Sequence, residues 1–281
     1  MNNLLTAPNA IGDIILASEI IKEANSRGWF IYMNKDFSGW TNEFVFIRQS
    51  NNIVSGITPD LNYDIILDFC GQENTIEQLR SVQSINKKIG FYNNPFYNQI
   101  IKFSKLALKS SVFETYAMAQ EKVFCTRPSL SFPEQIIKLP EKAYDLVIYP
   151  FSGNKEKNWN MDNFKKIYNY FKSKNKTVKF LNPLPCGETI IGVESDDVIE
   201  TKDWIESTEH ISRSKLLLAN DSSIAHIGAY VGVFTISIFL KFNCEMWFPY
   251  PPHKGIAISK VNNNITQKQL KKLIEKKLAE I

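Results

Sequence analysis

The 281-residue sequence predicts an α/β protein with two halves, each containing a parallel β-sheet covered by helices. Short β-rich runs alternate with amphipathic helical stretches, which is the pattern of β–α–β units. This alternation occurs twice, before and after a mixed-charge segment with two prolines at 132–145, which we interpret as a linker. The length is also sufficient for two domains. We therefore expect two Rossmann-like halves with a cleft between them.

The first half is predicted to begin with a strand, a turn at 8–13 and a helix near 14–25. The run YDIILDF is largely apolar, as is typical of a buried parallel strand. Residues 97–124 are rich in aromatic residues with helical spacing and predict a long helix. The strands predicted in this half are at 3–7, 29–34, 44–48, 63–69 and 87–92.

The second half repeats the pattern and ends in an amphipathic helix at 266–281, with Leu270, Leu273, Ile274 and Leu278 on one face. We divide the chain into domains at 1–135 and 144–265, followed by this helix. The predicted strands are at 145–150, 177–182 and 215–221, and the predicted helices are at 161–174 and 207–214. The segment NDSSIAHIGAYVGVFTISIF at 220–239 predicts a polar turn, a helix and another strand.

The composition argues against several functional classes. The net charge of +4 is far below that of a typical nucleic-acid-binding domain, so we expect no nucleic-acid partner. Four cysteines lie at wide spacings without a C-x-x-C pair, which disfavours a zinc site and indicates reduced, cytoplasmic thiols. The first residues lack the charged and apolar regions of a signal peptide, and no apolar run is long enough to span a membrane.

Two loops of the second half are candidates for anion binding. They are FSGNKEKNW at 151–159 and NDSS at 220–223, and each follows a predicted strand, where open α/β sheets bind ligands. The second loop opens a helix, whose free N–H groups suit a phosphate, and Lys157 can supply a cation from the first loop. The alternative is that the Asp and Ser residues only cap the helix, and that Lys157 is an exposed loop residue.

The corresponding loop of the first half contains Gly12 and Asp13. Gly12 is expected to permit a tight turn. Asp13 is either the N-cap of the next helix or a carboxylate that faces the cleft. The sequence has no G-x-G-x-x-G dinucleotide fingerprint and no G-x-x-x-x-G-K-[ST] motif, which argues against an NAD-dependent oxidoreductase and excludes a P-loop kinase.

Taken in order, these motifs resemble glycosyltransferase family 9, the bacterial heptosyltransferase-like enzymes of lipopolysaccharide core biosynthesis. The resemblance covers nearly the whole chain. The matching segments are IGDIILAS (11–18), YDIILDFCG (63–71), KKIGF (87–91), KNW (157–159), residues 220–239 and EMWFPY (245–250). It implies two facing Rossmann-like domains of the GT-B type, an N-terminal acceptor-side domain and a C-terminal domain that binds a nucleotide sugar.

The resemblance also implies an activity, namely metal-independent, inverting transfer of a sugar from a nucleoside diphosphate. The usual donor is ADP-heptose, and no cofactor or metal is expected. Asp13 would be the catalytic base, and Gly12 would lie in the acceptor-side loop. Donor binding would involve Lys157, Glu209, Asp221, Ser222, Ser223 and His226. Glu209 would lie near the ribose of the donor, although it can equally be a glutamate at a helix start.

Three residues depart from the family pattern, and they bear on which nucleotide base and which sugar the donor carries. Ser223 replaces a usual glycine, Asn160 a common proline and Leu240 a common glycine. They favour, as an alternative, a non-catalytic or differently employed nucleotide-binding protein on the same fold. The retained residues Asp13, Lys157 and His226 argue against that alternative.

The acceptor implied by the resemblance is a lipid-linked or other surface glycan. Aromatic and basic residues are interspersed in GFYNNPFYNQIIKFSK at 90–105, within the predicted acceptor-side half. This pattern is typical of a lipid-headgroup interface, and equally of a core helix with a basic edge. We expect a cytoplasmic protein with peripheral contact to the anionic inner face of the cytoplasmic membrane.

Overall fold

The computed structural model describes residues 2–33, 52–54, 56–91, 93–101, 111–127, 140–183, 189–241, 244–249, 255–259 and 266–281. The chain divides into two compact units, Met1–Ser129 and Leu130–Ile281. Each unit contains a six-stranded, all-parallel sheet with helices, which confirms the predicted fold class. The strand predicted at 44–48 and most of the predicted linker lie outside the described residues.

The sheet of the first unit has the strand order β3-β2-β1-β4-β5-β6. Its strands are β1 (Asn3–Thr6), β2 (Phe30–Tyr32), β3 (Ile53–Val54), β4 (Asn62–Asp68), β5 (Ser84–Gly90) and β6 (Gln99–Ile100). Its described helices are α1 (Ile11–Leu16), α2 (Ser18–Ser26), α3 (Glu73–Arg80) and α4 (Val112–Phe124).

The sheet of the second unit has the order β12-β11-β10-β7-β8-β9. Its strands are β7 (Tyr144–Tyr149), β8 (Val178–Pro183), β9 (Val198–Thr201), β10 (Ser214–Asn220), β11 (Phe234–Phe239) and β12 (Gly255–Ser259). Its described helices are α5 (Met161–Lys172), α6 (Trp204–Ser212), α7 (Ser223–Tyr230) and α8 (Gln267–Glu280), with short 3₁₀ turns at Lys155–Lys157 and Ser195–Asp197.

The two units share one topology. In each, the first and fourth strands along the chain lie side by side at the centre, and the later strands extend outward from them. This is the strand order of a Rossmann fold, in which the connections reverse direction between the two central strands. Ligands bind at the carboxyl ends of the strands beside this switch point. The switch points are between β1 and β4 in the first unit and between β7 and β10 in the second.

The central strands are buried on both faces, because helices cover both sides of each parallel sheet. Leu216, Leu217 and Leu218 of β10 are fully buried and illustrate why this strand reads as a continuous apolar run. Helix α7 lies close to the sheet at Gly228, where a Cβ atom would lie 2.5 Å from side-chain atoms of both Leu217 and Thr235. The small residue therefore lets α7 pack closely on β10 and β11.

Helix α8 packs within the second unit through its apolar face. Leu270 and Ile274 are fully buried, as the amphipathic pattern predicts. The helix begins with a capping box in which Thr266 and Gln269 exchange side-chain-to-backbone hydrogen bonds. This cap explains why the helix starts at Gln267.

Two helices of the first unit were predicted incorrectly. The helix expected near 14–25 is two helices that meet at Ala17, and the first of them begins at Ile11. The second helix was expected at 97–124. Within that segment, Gln99 and Ile100 instead form strand β6, which pairs with Ile89 and Gly90 of β5. The aromatic spacing was misleading there, because Tyr97 is a core residue packed on the sheet and not part of an amphipathic helix face.

Candidate functional site

The carboxyl edge of the second sheet carries an ion pair at the switch point. Lys157 is the last residue of the 3₁₀ turn after β7, and its Nζ lies 2.9 Å from Oδ2 of Asp221. Asp221 follows the last residue of β10 and is buried, whereas the Lys157 side chain retains 23% of its exposure. An ammonium group has three N–H donors, so Lys157 can contact Asp221 and a phosphate oxygen together.

Helix α7 begins beside this pair. Ser222 occupies the N-cap position, yet its side chain makes no capping hydrogen bond to the helix. Its hydroxyl instead donates to the Asn220 carbonyl oxygen at 3.0 Å. Because the first N–H groups of a helix have no intrahelical acceptor, an anion at this end meets aligned donors and the positive end of the helix dipole. The Ser222 side chain therefore does not cap α7, and anion binding at this helix end stays a prediction.

Asn220 is a structural residue of this edge that the sequence analysis did not single out. It is fully buried at the end of β10. Its Nδ2 donates to the Pro150 carbonyl at 2.5 Å, and its Oδ1 accepts from the Trp159 backbone N–H at 2.9 Å. Both partners belong to the loop that carries Lys157, so Asn220 fixes that loop against β10. Asn220 is a polar residue at the end of an apolar strand, directly before Asp221, and this position could have indicated its structural role.

His226 lies in the same helix and is 5% exposed. Burial, followed by the nearby positive charge of Lys157, lowers its pKa to about 4. The imidazole is therefore neutral at neutral pH, and its Nδ1 has no hydrogen-bond partner among the residues that the structure describes. A neutral, buried imidazole adds no charge beside the Lys157–Asp221 pair, and a role of His226 in shaping the donor loop stays a prediction.

Asp13 is the third residue of α1 and not its N-cap. The N-cap is Ala10, whose carbonyl accepts the Ile14 N–H at 2.9 Å. The N-cap interpretation of Asp13 is therefore wrong, because the helix begins three residues earlier than expected. The tight turn expected at Gly12 is also wrong, because Gly12 is a buried residue inside α1. Asp13 remains partly exposed in the first turn of a helix at the carboxyl edge of the first sheet.

Glu209 lies near the end of its helix and not at its start. Helix α6 begins at Trp204, where the Asp203 side chain accepts the Glu206 N–H at 2.8 Å. Glu209 is consequently an exposed residue in the last turn, and its carbonyl accepts from Arg213 just before β10 begins. The helix-start interpretation of Glu209 is wrong, and its proximity to a ribose stays a prediction. The spacing Asp203-x-x-Glu206 was the missed helix-start signal.

Two of the three departures from the family pattern have a local explanation. Ser223 is the first residue of α7, and among the described non-glycine residues only Cys125 and Asn175 have a positive φ. Its position therefore does not need the conformational freedom of glycine. Asn160 caps α5 by accepting the Asp162 N–H at 2.8 Å. Leu240 follows β11, and nothing in the structure explains it.

The segment at 90–105 is only partly described, up to Ile101. Phe91, Tyr97 and Ile101 are buried, so these residues belong to the core of the first unit and cannot face lipid headgroups. Lys102 and Lys105 lie outside the described residues. Within the described ranges, no helix combines the length and apolar character that a membrane crossing needs. In the same ranges, no group of three His, Cys, Asp or Glu side chains is placed to hold a metal ion.

Comparison with known proteins gives one family. The model of glycosyltransferase family 9 (heptosyltransferase) matches residues 77–277, which is more than half of the chain. The matched range contains the Lys157–Asp221 pair and His226, whereas Asp13 precedes it. No curated protein sequence matches the chain.

Solved structures share the fold over the full length. The Escherichia coli heptosyltransferase WaaC with ADP superposes with a TM-score of 0.75 at 13% identity, covering 99% of this chain and 100% of that chain. A glycosyl transferase family 9 protein from Veillonella parvula superposes with a TM-score of 0.73 at 16% identity, covering 100% of this chain and 97% of that chain. The Escherichia coli ADP-heptose LPS heptosyltransferase II superposes with a TM-score of 0.70 at 13% identity, covering 100% of this chain and 99% of that chain.

Proposed function

Because the chain belongs to glycosyltransferase family 9, we propose that this glycosyltransferase moves a heptose from ADP-heptose to a hydroxyl group of a lipopolysaccharide-type or other surface-glycan acceptor. The transfer proceeds with inversion and without a metal ion. The ADP named with Escherichia coli WaaC and the ADP-heptose in the name of heptosyltransferase II support the choice of donor. The observation that carries the proposal is the Lys157–Asp221 pair at the amino end of α7.

The second unit holds the donor diphosphate. The departing diphosphate gains negative charge as the glycosidic bond breaks, and preorganised donors lower the barrier when they face that charge. Lys157 and the first N–H groups of α7 supply such donors, and Asp221 holds the ammonium in place at 2.9 Å. Ser223, partly exposed at the first helical position, adds a hydroxyl donor. This arrangement does for the leaving group what a bound metal does in other transferases.

The first unit supplies the base. Inversion requires the acceptor hydroxyl to attack the sugar carbon from the face opposite the diphosphate, and a carboxylate removes its proton as the new bond forms. Asp13 is partly exposed in the first turn of α1, at the carboxyl edge of the first sheet. Carboxylates of this kind act late, when the hydroxyl proton has become acidic in the transition state.

A turnover assay tests the proposal. The enzyme is incubated with ADP-heptose, UDP-, GDP- and CMP-sugars, and a lipopolysaccharide-core acceptor, and the released nucleotide is detected. We expect acceptor-dependent release of ADP. Binding of ADP without sugar transfer to any acceptor would instead support the nucleotide-binding alternative, which the unexplained departure at Leu240 favours.

The acceptor is proposed to be lipid-linked and reached by peripheral contact with an anionic membrane surface. Support comes from the net charge of +4 and from the lysines of segment 90–105. Flotation with anionic and neutral liposomes at low and high salt tests this contact. We expect salt-sensitive binding to the anionic vesicles, and absence of binding would overturn it.

A further inference from the structure

Asp68 is a fully buried carboxylate at the switch point of the first unit. It is the last residue of β4 and pairs in register with Thr6, the last residue of β1. Its Oδ1 accepts from the Thr6 hydroxyl and from the backbone N–H groups of Cys70 (2.8 Å) and Gly71 (3.2 Å). Its Oδ2 accepts from the Tyr97 hydroxyl. Four neutral donors thus satisfy a carboxylate whose burial is otherwise costly.

Tyr97 reaches Asp68 because of a glycine in the neighbouring strand. Gly90, the last residue of β5, lies under the Tyr97 ring, and a Cβ atom there would lie 2.5 Å from ring carbon atoms. The strand pair β5–β6 therefore holds the tyrosine over the sheet edge with its hydroxyl directed at Asp68. Tyr97 is 7% exposed, so water does not replace this contact without opening the core.

The Asp68 contacts extend to the loop that leads to Asp13. Phe69 donates its backbone N–H to the Thr6 carbonyl at 3.0 Å, which joins the ends of β4 and β1. The Cys70 thiol is hydrogen-bonded with the Thr75 hydroxyl at 3.2 Å, and the Asn9 side chain lies close to the same thiol. Asn9 directly precedes Ala10, the N-cap of α1. The loop after β4 therefore contacts the β1–α1 loop next to the helix that carries Asp13.

The second unit has the same arrangement at its own switch point. Asn220, like Asp68, is the fully buried last residue of the seven-residue fourth strand of its unit. It bonds to the carbonyl of Pro150 and to the N–H of Trp159, both in the loop after the first strand. That loop carries Lys157. In both units, therefore, a buried polar side chain at the end of the fourth strand contacts the residues that lead to a proposed functional side chain.

We propose that Asp68, held by Tyr97, is a positioning residue that sets the β1–α1 loop and thereby the Asp13 carboxylate for transfer. The inference rests on the proposed function of Asp13 as the base. Asp68 touches neither substrate nor Asp13, and acts through Thr6, the Cys70–Gly71 turn and Asn9. Small displacements of a reacting group strongly reduce rate, so loosening this network lowers turnover while donor binding in the other unit is retained.

A matched pair of Tyr→Phe variants tests the proposal. Tyr97→Phe removes one donor from Asp68. Tyr168→Phe removes one donor from another buried aspartate, Asp197, to which the Tyr168 hydroxyl donates at 2.7 Å in the second unit. We expect Tyr97→Phe to lower kcat by about tenfold or more with the donor KM within about twofold, and Tyr168→Phe to leave kcat within about twofold. Equal kcat in the two variants would overturn the proposal.

Thr6 provides a second test that keeps the fold. Thr6→Val removes the hydroxyl from Asp68 with little change in shape, whereas Thr6→Ser retains it. We expect Thr6→Val to lower kcat and Thr6→Ser to retain the wild-type kcat. The melting temperatures of the two variants are expected to be similar. A kcat loss in both variants, or in neither, would argue that the Thr6 hydroxyl has no positioning role.

Amide hydrogen exchange separates this inference from the proposed function. We expect faster exchange at 7–13 and 69–72 in Tyr97→Phe than in Tyr168→Phe, whether or not a sugar is transferred. If the wild type transfers no sugar, the proposed function fails and exchange alone decides whether the network holds the loop. If the wild type is active and Asp13→Asn is inactive, the proposed function stands. Unchanged exchange and unchanged kcat in Tyr97→Phe would then refute the positioning role of Asp68 and leave the proposed function intact.

Discussion

Lys157 and Asp221 form a 2.9 Å ion pair at the amino end of α7, although 63 intervening residues separate them in the chain. The pair joins the loop after β7 to the loop after β10, which are the two strands at the switch point of the second sheet. An acidic side chain alone would repel a phosphate at this helix end. Because Lys157 neutralises Asp221, the carboxylate no longer opposes the approach of an anion to the positive end of α7.

Lys157→Ala is expected to weaken donor binding and slow transfer together. A cation that faces the diphosphate acts in both the ground state and the transition state, so KM rises and kcat falls. Lys155→Ala is the matched control, because Lys155 lies in the same 3₁₀ turn and is exposed. Steady-state kinetics measures both variants. Unchanged kinetics for Lys157→Ala would show that Lys157 pairs with Asp221 without acting on the donor.

Asp13→Asn is expected to fold, bind donor and transfer at least about a hundredfold more slowly, because loss of a general base typically costs about 10²–10⁴-fold in rate. The amide keeps the shape of the side chain. Its loss of charge near the helix start costs only about 0.5 kcal/mol of stability. Donor affinity is measured by calorimetry with ADP, and turnover by ADP release.

Glu19→Gln is the control for Asp13→Asn. Glu19 lies in the first turn of the adjacent helix α2, where it pairs with Lys22 at 2.7 Å. We expect this variant to retain wild-type turnover. If Asp13→Asn also transfers within a few-fold of wild type while folded and donor-bound, Asp13 is not the base.

Turnover is expected to survive EDTA. The sequence lacks a D-x-D pair, and Lys157 with the α7 N-terminus is proposed to stabilise the leaving diphosphate instead. The rate is measured after dialysis against chelator, and again after addition of Mg²⁺ or Mn²⁺. A rate abolished by EDTA and restored by either ion would refute metal-independent transfer.

Asp197→Asn is expected to lower stability without changing transfer, because Asp197 lies just before β9, at the amino edge of the sheet. Burial by itself raises its pKa, but hydrogen bonds from Lys172, Tyr168 and Lys179 outweigh this and lower the pKa to about 2. The carboxyl group of an aspartate in an unfolded chain has a pKa of about 3.9. The stabilisation, roughly 2 kcal/mol for such a shift, is therefore complete above that pH and is lost as pH falls toward 2.

Denaturant unfolding of wild type and Asp197→Asn between pH 7 and pH 3 measures this contribution. We expect the difference in unfolding free energy to be constant from pH 7 to about pH 5 and to shrink below about pH 4. A difference that persists undiminished at pH 3 would show that the charge of Asp197 is not its source. Turnover at pH 7 is expected to be equal in the two proteins.

Much of the fold follows from local patterns. Apolar strands such as β4 and β10 were predicted within one or two residues, because strands buried on both faces need continuous apolar runs. The short strands β3, β6, β9 and β12 were missed, because a few residues carry too little periodicity to be distinguished from loops. The start of α1 was misplaced, because an alanine N-cap leaves no side-chain signal.

The sequence by itself determined the fold class through its alternating strand and helix patterns, and its motifs, through their resemblance to the family, nominated Asp13, Lys157, Asp221 and His226. Only the tertiary structure decided that Lys157 pairs with Asp221, that Glu209 lies in a last helical turn, and that Asp68 and Asn220 hold the loops of their units. Such contacts join residues distant in sequence. They depend on which strands become neighbours at each switch point, and no local pattern records that choice.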